Sequence, residues 1–134
     1  MKNTMFLAAA FALLLPIGAY GQNLSATVPF GFTANRVQLP AGEYSLKTDI
    51  VWTRGIIQIQ NAATGRSTFI GSASRSYTRG ETQPRLVFRA ANGKWALAEV
   101  WTDQVGYRMR LPNPPEGAKI QMATVFLHRA AKGD

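Results

Sequence analysis

Side chains able to perform acid–base or nucleophilic chemistry are few in this sequence and lie far apart. The chain has one histidine, His128, and no cysteine. A catalytic histidine needs a nucleophile and an orienting carboxylate beside it, and no serine here lies in a Gly-x-Ser-x-Gly motif. We therefore interpret His128 as an ordinary strand residue. A small hydrolase acting through His128 or Glu99 ranks third among the functional hypotheses.

Glu99 differs from the other acidic residues, most of which lie in predicted turns where carboxylates are solvated. Strict alternation along its predicted strand would place it on the same side as Trp95, Leu97 and Trp101. A buried carboxylate is a functional candidate unless a cation pairs with it. We favour an ion pair with an arginine of a neighbouring strand, or a face that is exposed rather than buried. No cluster has metal-ligand spacing, so neither a metal nor a cofactor is predicted.

Arginine offers a stronger binding signal. Arg85 and Arg89 share one face of a predicted strand, and Arg108 and Arg110 share one face of another. If these strands lie side by side, four guanidinium groups project from one sheet surface and can bind phosphate or carboxylate groups. The alternative is a solvated face whose charges are balanced by carboxylates or solvent. The formal net charge of +8 favours an acidic partner.

Aromatic residues give an alternative candidate site. A sugar or a lipid could bind against the flat ring faces of Trp95, Trp101 and Tyr107. Glu99 belongs to the same candidate site. The competing interpretation is packing in the core, which is the usual role of large aromatic side chains in a small domain.

The elements that must position these residues are predicted to be β-strands. Beyond residue 21 no stretch has the apolar stripe of an amphipathic helix, and short β-rich runs recur between Gly, Pro and Asn turn signals. We predict one antiparallel domain over residues 22–134, a β-barrel or a β-sandwich of about eight strands. The predicted strands cover residues 26–32, 43–48, 56–61, 66–72, 85–89, 95–101, 106–111 and 119–129.

Local signals refine this prediction. Asn92-Gly93 fits both central positions of a type I′ hairpin turn. Pro29 cannot donate to a ladder, so its strand is expected at a sheet edge or at a bulge. The polar residues 73–84 are predicted to form a loop. The last run, residues 119–129, is apolar on both faces at its centre and is predicted to be a central strand.

The N-terminus predicts export. Residues 1–21 have the form of a cleavable signal peptide: Lys2, an apolar run over residues 5–17, and small residues before a cleavage site at Gln22. The run is short for a permanent span, so no stable membrane span is expected after cleavage. The location is then the periplasm or the outside of the cell. Nucleic acid is not an expected partner, because no nucleic-acid-binding motif is present.

Two blocks of the sequence carry a family resemblance. The first is Val28-Pro29-Phe30-Gly31-Phe32 followed by Leu39-Pro40-Ala41-Gly42-Glu43-Tyr44, and the second is Leu86-Val87-Phe88 followed by Asn92-Gly93 and a strand ending at Trp101. The chain thereby resembles an uncharacterised family of small secreted β-rich proteins of soil bacteria. The family has no assigned activity, so the resemblance implies export and a β fold and transfers no catalytic residue. Asn113-Pro114-Pro115 departs from the family pattern, in which an acidic residue and an arginine are expected.

Two functional hypotheses lead from these patterns. The first is an exported, non-enzymatic β-domain with a binding or structural role, contacting an acidic envelope polymer or a protein partner through its arginines. The second is a barrel that binds a sugar or a lipid at the aromatic site.

Overall fold

The structure is a computed structural model that describes residues 23–47, 56–77, 79–80, 82–103 and 105–129. Within these residues the chain forms twelve β-strands, and no helix there is long and apolar enough to cross a membrane. The predicted leader and its cleavage site lie outside the described residues. The strands are β1 (Asn23–Val28), β2 (Phe32–Ala34), β3 (Val37–Leu39), β4 (Gly42–Lys47), β5 (Ile56–Asn61), β6 (Ser67–Gly71), β7 (Ser74–Tyr77), β8 (Arg85–Ala91), β9 (Lys94–Trp101), β10 (Val105–Arg108), β11 (Ile120–Phe126) and β12 (His128–Arg129).

The described strands form two sheets. The five-stranded sheet has the order β12-β1-β4-β5-β6, and the seven-stranded sheet has the order β11-β8-β9-β10-β7, with β2 and β3 attached through β9. Pairing is antiparallel except between β2 and β9, where Thr33 lies beside Ala96. The all-β prediction is confirmed, and of its two alternatives the architecture is that of a sandwich.

The core lies between the two sheets and is filled by alternate residues of their strands. In β8, Leu86 and Phe88 are fully buried and Val87 between them is only half-buried. The same alternation runs through β4 and β5. Each large apolar side chain buried in this way contributes about 1.5–3 kcal/mol, so a chain without cysteine can be held together by its core.

Phe32 connects the sheets. Its ring packs edge-to-face on Tyr44 of the five-stranded sheet and on Phe88 of the seven-stranded sheet, with centroid distances of 5.3 and 5.1 Å. The single strand predicted over residues 26–32 is wrong. β1 ends before Pro29, which cannot continue the ladder, and the chain changes sheets before β2 begins.

Two other predictions about the strands are also wrong. Residues 119–129 do not form one central strand: β11 lies at the edge of the seven-stranded sheet, and β12 pairs with β1 in the other sheet after the buried Leu127. An apolar run indicates a central strand only where both faces are covered, and Met122 of β11 is 58% exposed. The loop predicted over residues 73–84 contains β7, whose exposed polar residues give no hydrophobic pattern.

A bulge in β9 changes which way its side chains face. Glu99 pairs with Val87 and Leu97 pairs with Phe88, so Ala98 is an extra residue in the ladder. Leu97 therefore faces the core while Glu99, two residues later, lies on the opposite face. The strict alternation assumed for this strand is wrong at this point.

The chain between β10 and β11, residues 109–119, must pass two strands, because β9 and β8 lie between these elements in the sheet. We call residues 109–119 the crossing segment. Arg89 of β8 donates from Nη2 to the Pro112 carbonyl at 2.9 Å, and the Lys119 amide donates to Asn92 Oδ1 at 3.1 Å. Three prolines restrict its backbone further.

Candidate binding groove

A groove of about 1340 Å³ opens at one end of the seven-stranded sheet. The β2–β3 hairpin, the β8–β9 hairpin and the crossing segment all contribute to its walls. Pockets for small ligands typically have about 300–1,000 Å³. The groove is therefore larger than a typical small-ligand pocket.

The groove is positively charged, and we call it the basic groove. Its cationic side chains come from four separate places: Arg36 in the β2–β3 turn, Arg89 in β8, Lys94 at the start of β9, and Arg110 in the crossing segment. None of the described residues that line it is acidic. The two ion pairs found between described side chains lie outside it. A cleft lined by positive charges raises the local concentration of anions.

Two hairpin tips form part of the groove, and both have the type I′ geometry. In the β8–β9 hairpin, Asn92 and Gly93 have φ angles of 52° and 82°, which confirms the predicted turn. In the β2–β3 hairpin, Asn35 and Arg36 occupy the equivalent positions with φ angles of 52° and 64°. The second tip thus places an arginine in a backbone conformation where glycine is the usual residue.

Arg89 is fixed in the wall by the crossing segment. Its Nη2 hydrogen bond to Pro112 orients the guanidinium, while its Nε is shielded from solvent and has no hydrogen-bond partner among the described residues. A desolvated N–H of this kind costs about 1–3 kcal/mol. An anion beside the guanidinium would compensate a charge that no carboxylate of the described residues pairs with.

Trp95 is the aromatic residue among the described residues that line the groove. One face of its ring stacks on Phe30, with a centroid distance of 4.4 Å and an interplanar angle of 15°. Phe30 in turn packs edge-to-face on Phe88 of the core. The indole is therefore held rigidly. Its cross-strand partner Ala90 is fully buried, so the ring lies on the core side of the sheet, whereas Arg89 projects from the outer side.

Of the four arginines predicted to form one surface, Arg85, Arg89 and Arg108 share the outer face of the seven-stranded sheet, but their neighbours differ. β8 and β10 are not neighbours, because β9 lies between them. Arg89 and Arg110 line the groove, whereas Arg85 lies over the ring of Trp101 at 4.7 Å from its centroid. Arg108 pairs with Glu99, Nε to Oε2 at 3.9 Å, which is the ion pair that the sequence favoured for this carboxylate.

The alternative aromatic site is not assembled. Trp95 lines the groove, but Trp101 and Glu99 bind each other on the outer face of the sheet, with Nε1 donating to Oε1 at 2.8 Å. Tyr107 is buried in the core at 3% exposure. The bulge in β9 separates these residues, since it turns Glu99 and Trp101 outward while Tyr107 of the next strand faces inward.

His128 is exposed in β12, and its cross-strand neighbour is Ser25 of β1. Among the described residues no hydrogen bond joins these two side chains, and no carboxylate contacts the imidazole. Nor do the described residues contain a group of three or more metal-ligating side chains.

Arg36 and Lys94 are groove residues that the sequence reasoning missed. Lys94 directly follows the predicted Asn92-Gly93 turn, so its place at a hairpin tip was recoverable from the sequence. Arg36 was not, because Asn-Arg is not a type I′ signature and the short strands on either side of it have three residues each. Comparison with known protein families, curated proteins and solved structures finds no match for this chain.

Proposed function

We propose that this protein is an exported, non-enzymatic binding domain that holds an acidic polymer in its basic groove. One observation carries the proposal: four cationic residues from separate parts of the chain line one groove whose described lining has no carboxylate. Scattered surface cations are ordinarily interspersed with acids. A concentration of one sign in a concave site favours a ligand of the opposite sign.

Acidic sugars fit the groove better than inorganic polyanions do. Beside its cations, the groove is lined by Trp95, Gln38 and Asn113, whose side chains carry an aromatic ring and two amides. An aromatic face suits the apolar side of a sugar ring, and amides bind hydroxyl groups. Arginine forks pair with carboxylates in bidentate fashion. The ligand class that uses all three is a carboxylated polysaccharide.

Two variants with the same change in charge test the location of the site. Arg110→Gln removes a groove cation, and Arg108→Gln removes a cation that Glu99 already neutralises on the outer face. On immobilised polygalacturonate at low salt, we expect Arg110→Gln to weaken binding about three- to tenfold. Arg108→Gln should stay within about twofold of the wild type.

Salt and a neutral polymer complete this test. Binding should weaken as ionic strength rises, because the contacts are electrostatic, and neutral dextran should not be bound. The groove is refuted as the binding site if the wild type does not bind polygalacturonate at low salt. It is also refuted if the two variants lose the same affinity for the polymer.

Export and the absence of catalysis belong to the same proposal and have their own measurements. Mass spectrometry of the mature protein should find an N-terminus at Gln22. A broad panel of hydrolase substrates should remain uncleaved. Cleavage that Glu99→Gln or His128→Ala abolishes would replace the binding proposal with a hydrolase.

A further inference from the structure

The two hairpin tips of the basic groove differ in one residue, and the difference has an energetic cost. Both begin with asparagine, which tolerates the left-handed conformation. The second residue is Gly93 in one tip and Arg36 in the other, at φ angles of 82° and 64°. A side chain with a Cβ is disfavoured in this region, whereas glycine is not.

No contact with another described residue compensates the Arg36 side chain for this conformation. Its side chain is exposed, and no hydrogen bond or ion pair to it is found among the described residues. The backbone is held in place from outside the turn. Asn35 Nδ2 donates to the Phe69 carbonyl at 2.9 Å, and Thr33 lies beside Ala96 in the parallel pairing with β9.

We propose that Arg36 is a ligand-contacting arginine of the basic groove, and that its unfavourable backbone conformation serves to place its guanidinium against an acidic group of the polymer. This inference rests on the function proposed above. Residues held in sparsely populated backbone regions cluster at binding sites, where the surrounding structure over-determines them. Here the anchored hairpin fixes the backbone and the Cβ of Arg36 before the ligand arrives, which limits the backbone entropy lost on binding.

The proposal predicts that stability and affinity change in opposite directions. Arg36→Gly gives this tip the same pair of residues as the β8–β9 tip, so it should be more stable than the wild type by about 2–5 °C in Tm. Its affinity for polygalacturonate should fall about tenfold. Arg36→Ala loses the same charge but keeps a Cβ in the left-handed region, so it should bind as weakly and melt below Arg36→Gly.

Arg36→Lys separates the charge from the shape of the guanidinium. It should bind more tightly than Arg36→Gly, because the charge is kept, and more weakly than the wild type, because an ammonium lacks the bidentate fork. Gly93→Arg is the reverse control, since it places an arginine at the unstrained tip and should lower Tm.

The outcomes distinguish this inference from the proposed function. If Arg110→Gln weakens binding and Arg36→Gly does not, the groove is correct and the role of Arg36 is wrong. A fall in Tm for Arg36→Gly also overturns the inference, because the strain would then be absent. If the wild type does not bind polygalacturonate at all, the proposed function itself fails.

Discussion

The six-membered ring of Trp101 occupies the space that a Cβ atom on Gly106 would need. Three ring carbons of Trp101 lie 2.5–2.6 Å from that position, and the two residues are direct partners in the pairing of β9 with β10. Arg85 covers the ring, and Glu99 accepts a hydrogen bond from the indole nitrogen. The absence of a side chain at residue 106 thus allows this cluster to form on the outer face of the seven-stranded sheet.

Gly106→Ala should destabilise the protein by displacing Trp101. The added Cβ would meet atoms of the rigid six-membered ring. Because the indole nitrogen is hydrogen-bonded to Glu99, the ring can move away only by breaking that bond. Overpacking of this kind typically costs about 1–3 kcal/mol. Chemical denaturation followed by tryptophan fluorescence measures both the loss of stability and the changed environment of the indole.

Gly71→Ala is the matched control for Gly106→Ala. Gly71 also lies in a strand, and a Cβ there would meet nothing within 4 Å. The Gly71→Ala variant should be as stable as the wild type or slightly more stable. Equal effects of the two substitutions would show that Trp101 does not rest on Gly106.

Asn61→Ala should lower the free energy of unfolding by about 2 kcal/mol. Asn61 is buried at 5% exposure at the end of β5. Its Oδ1 accepts hydrogen bonds from the backbone amides of Ala63 and Thr64, at 2.9 and 3.0 Å. Alanine would leave these turn amides without their partner. Asn113→Ala, at an exposed asparagine, should change the stability by less than about 0.5 kcal/mol, and urea denaturation compares the two.

Tyr107 should make the stability fall at alkaline pH. Burial raises the pKa of its hydroxyl above the ordinary value; the nearby Arg75 opposes this effect and Tyr77 adds to it. The unfolded state then loses its proton at a lower pH than the folded state. The contribution of Tyr107 to the free energy of unfolding is constant below a pH of about 10. It is lost as the pH rises through the pKa of Tyr107 in the folded state.

Urea denaturation between pH 8 and pH 11 tests the role of Tyr107. Tyr107→Phe should lose less stability over this range than the wild type does. Tyr77→Phe, at a side chain that is 69% exposed, should keep most of the wild-type loss. An identical pH dependence in the wild type and Tyr107→Phe would contradict this assignment.

The outer edge of β11 should promote aggregation. The Leu127 amide donates to the Pro84 carbonyl, and the Asn92 amide donates to the Lys119 carbonyl. The backbone N–H and C=O groups of the odd-numbered residues in this run therefore point toward β8. The even-numbered residues of β11 therefore direct their backbone N–H and C=O groups toward the free edge. The strand carries no charge, and three of its large apolar side chains are exposed. Such an edge can pair with another chain.

Thr124→Lys should suppress this aggregation, because an edge lysine blocks strand addition. Turbidity of concentrated protein on mild heating should appear later and at a lower level than in the wild type, with Tm changed by only a few degrees. Ser67→Lys, which adds the same charge on β6 of the other sheet, should have a smaller effect. If the two lysines act equally, net charge and not the β11 edge controls aggregation.

Local patterns predicted a large part of this fold. Alternation predicted strands over residues 43–48, 56–61 and 85–89, and the described strands β4, β5 and β8 have buried inward faces. The Asn92-Gly93 turn formed as predicted. These features depend on side chains within a few residues of one another, and the period of two is a property of the extended backbone itself. The candidate site was only partly foreseen, since Arg89 and Arg110 line the groove while Arg85 and Arg108 do not.

By itself, the sequence determined that the chain folds as strands without cross-links, and that it carries an excess of arginine and lysine. Tertiary structure decided which of those cations act together. The bulge at Ala98, the placement of β9 between β8 and β10, and the crossing segment over Arg89 each depend on contacts between residues distant in the chain. Such contacts leave no local period, which is why Arg36, between two short strands, joins the groove only once the sheets have formed.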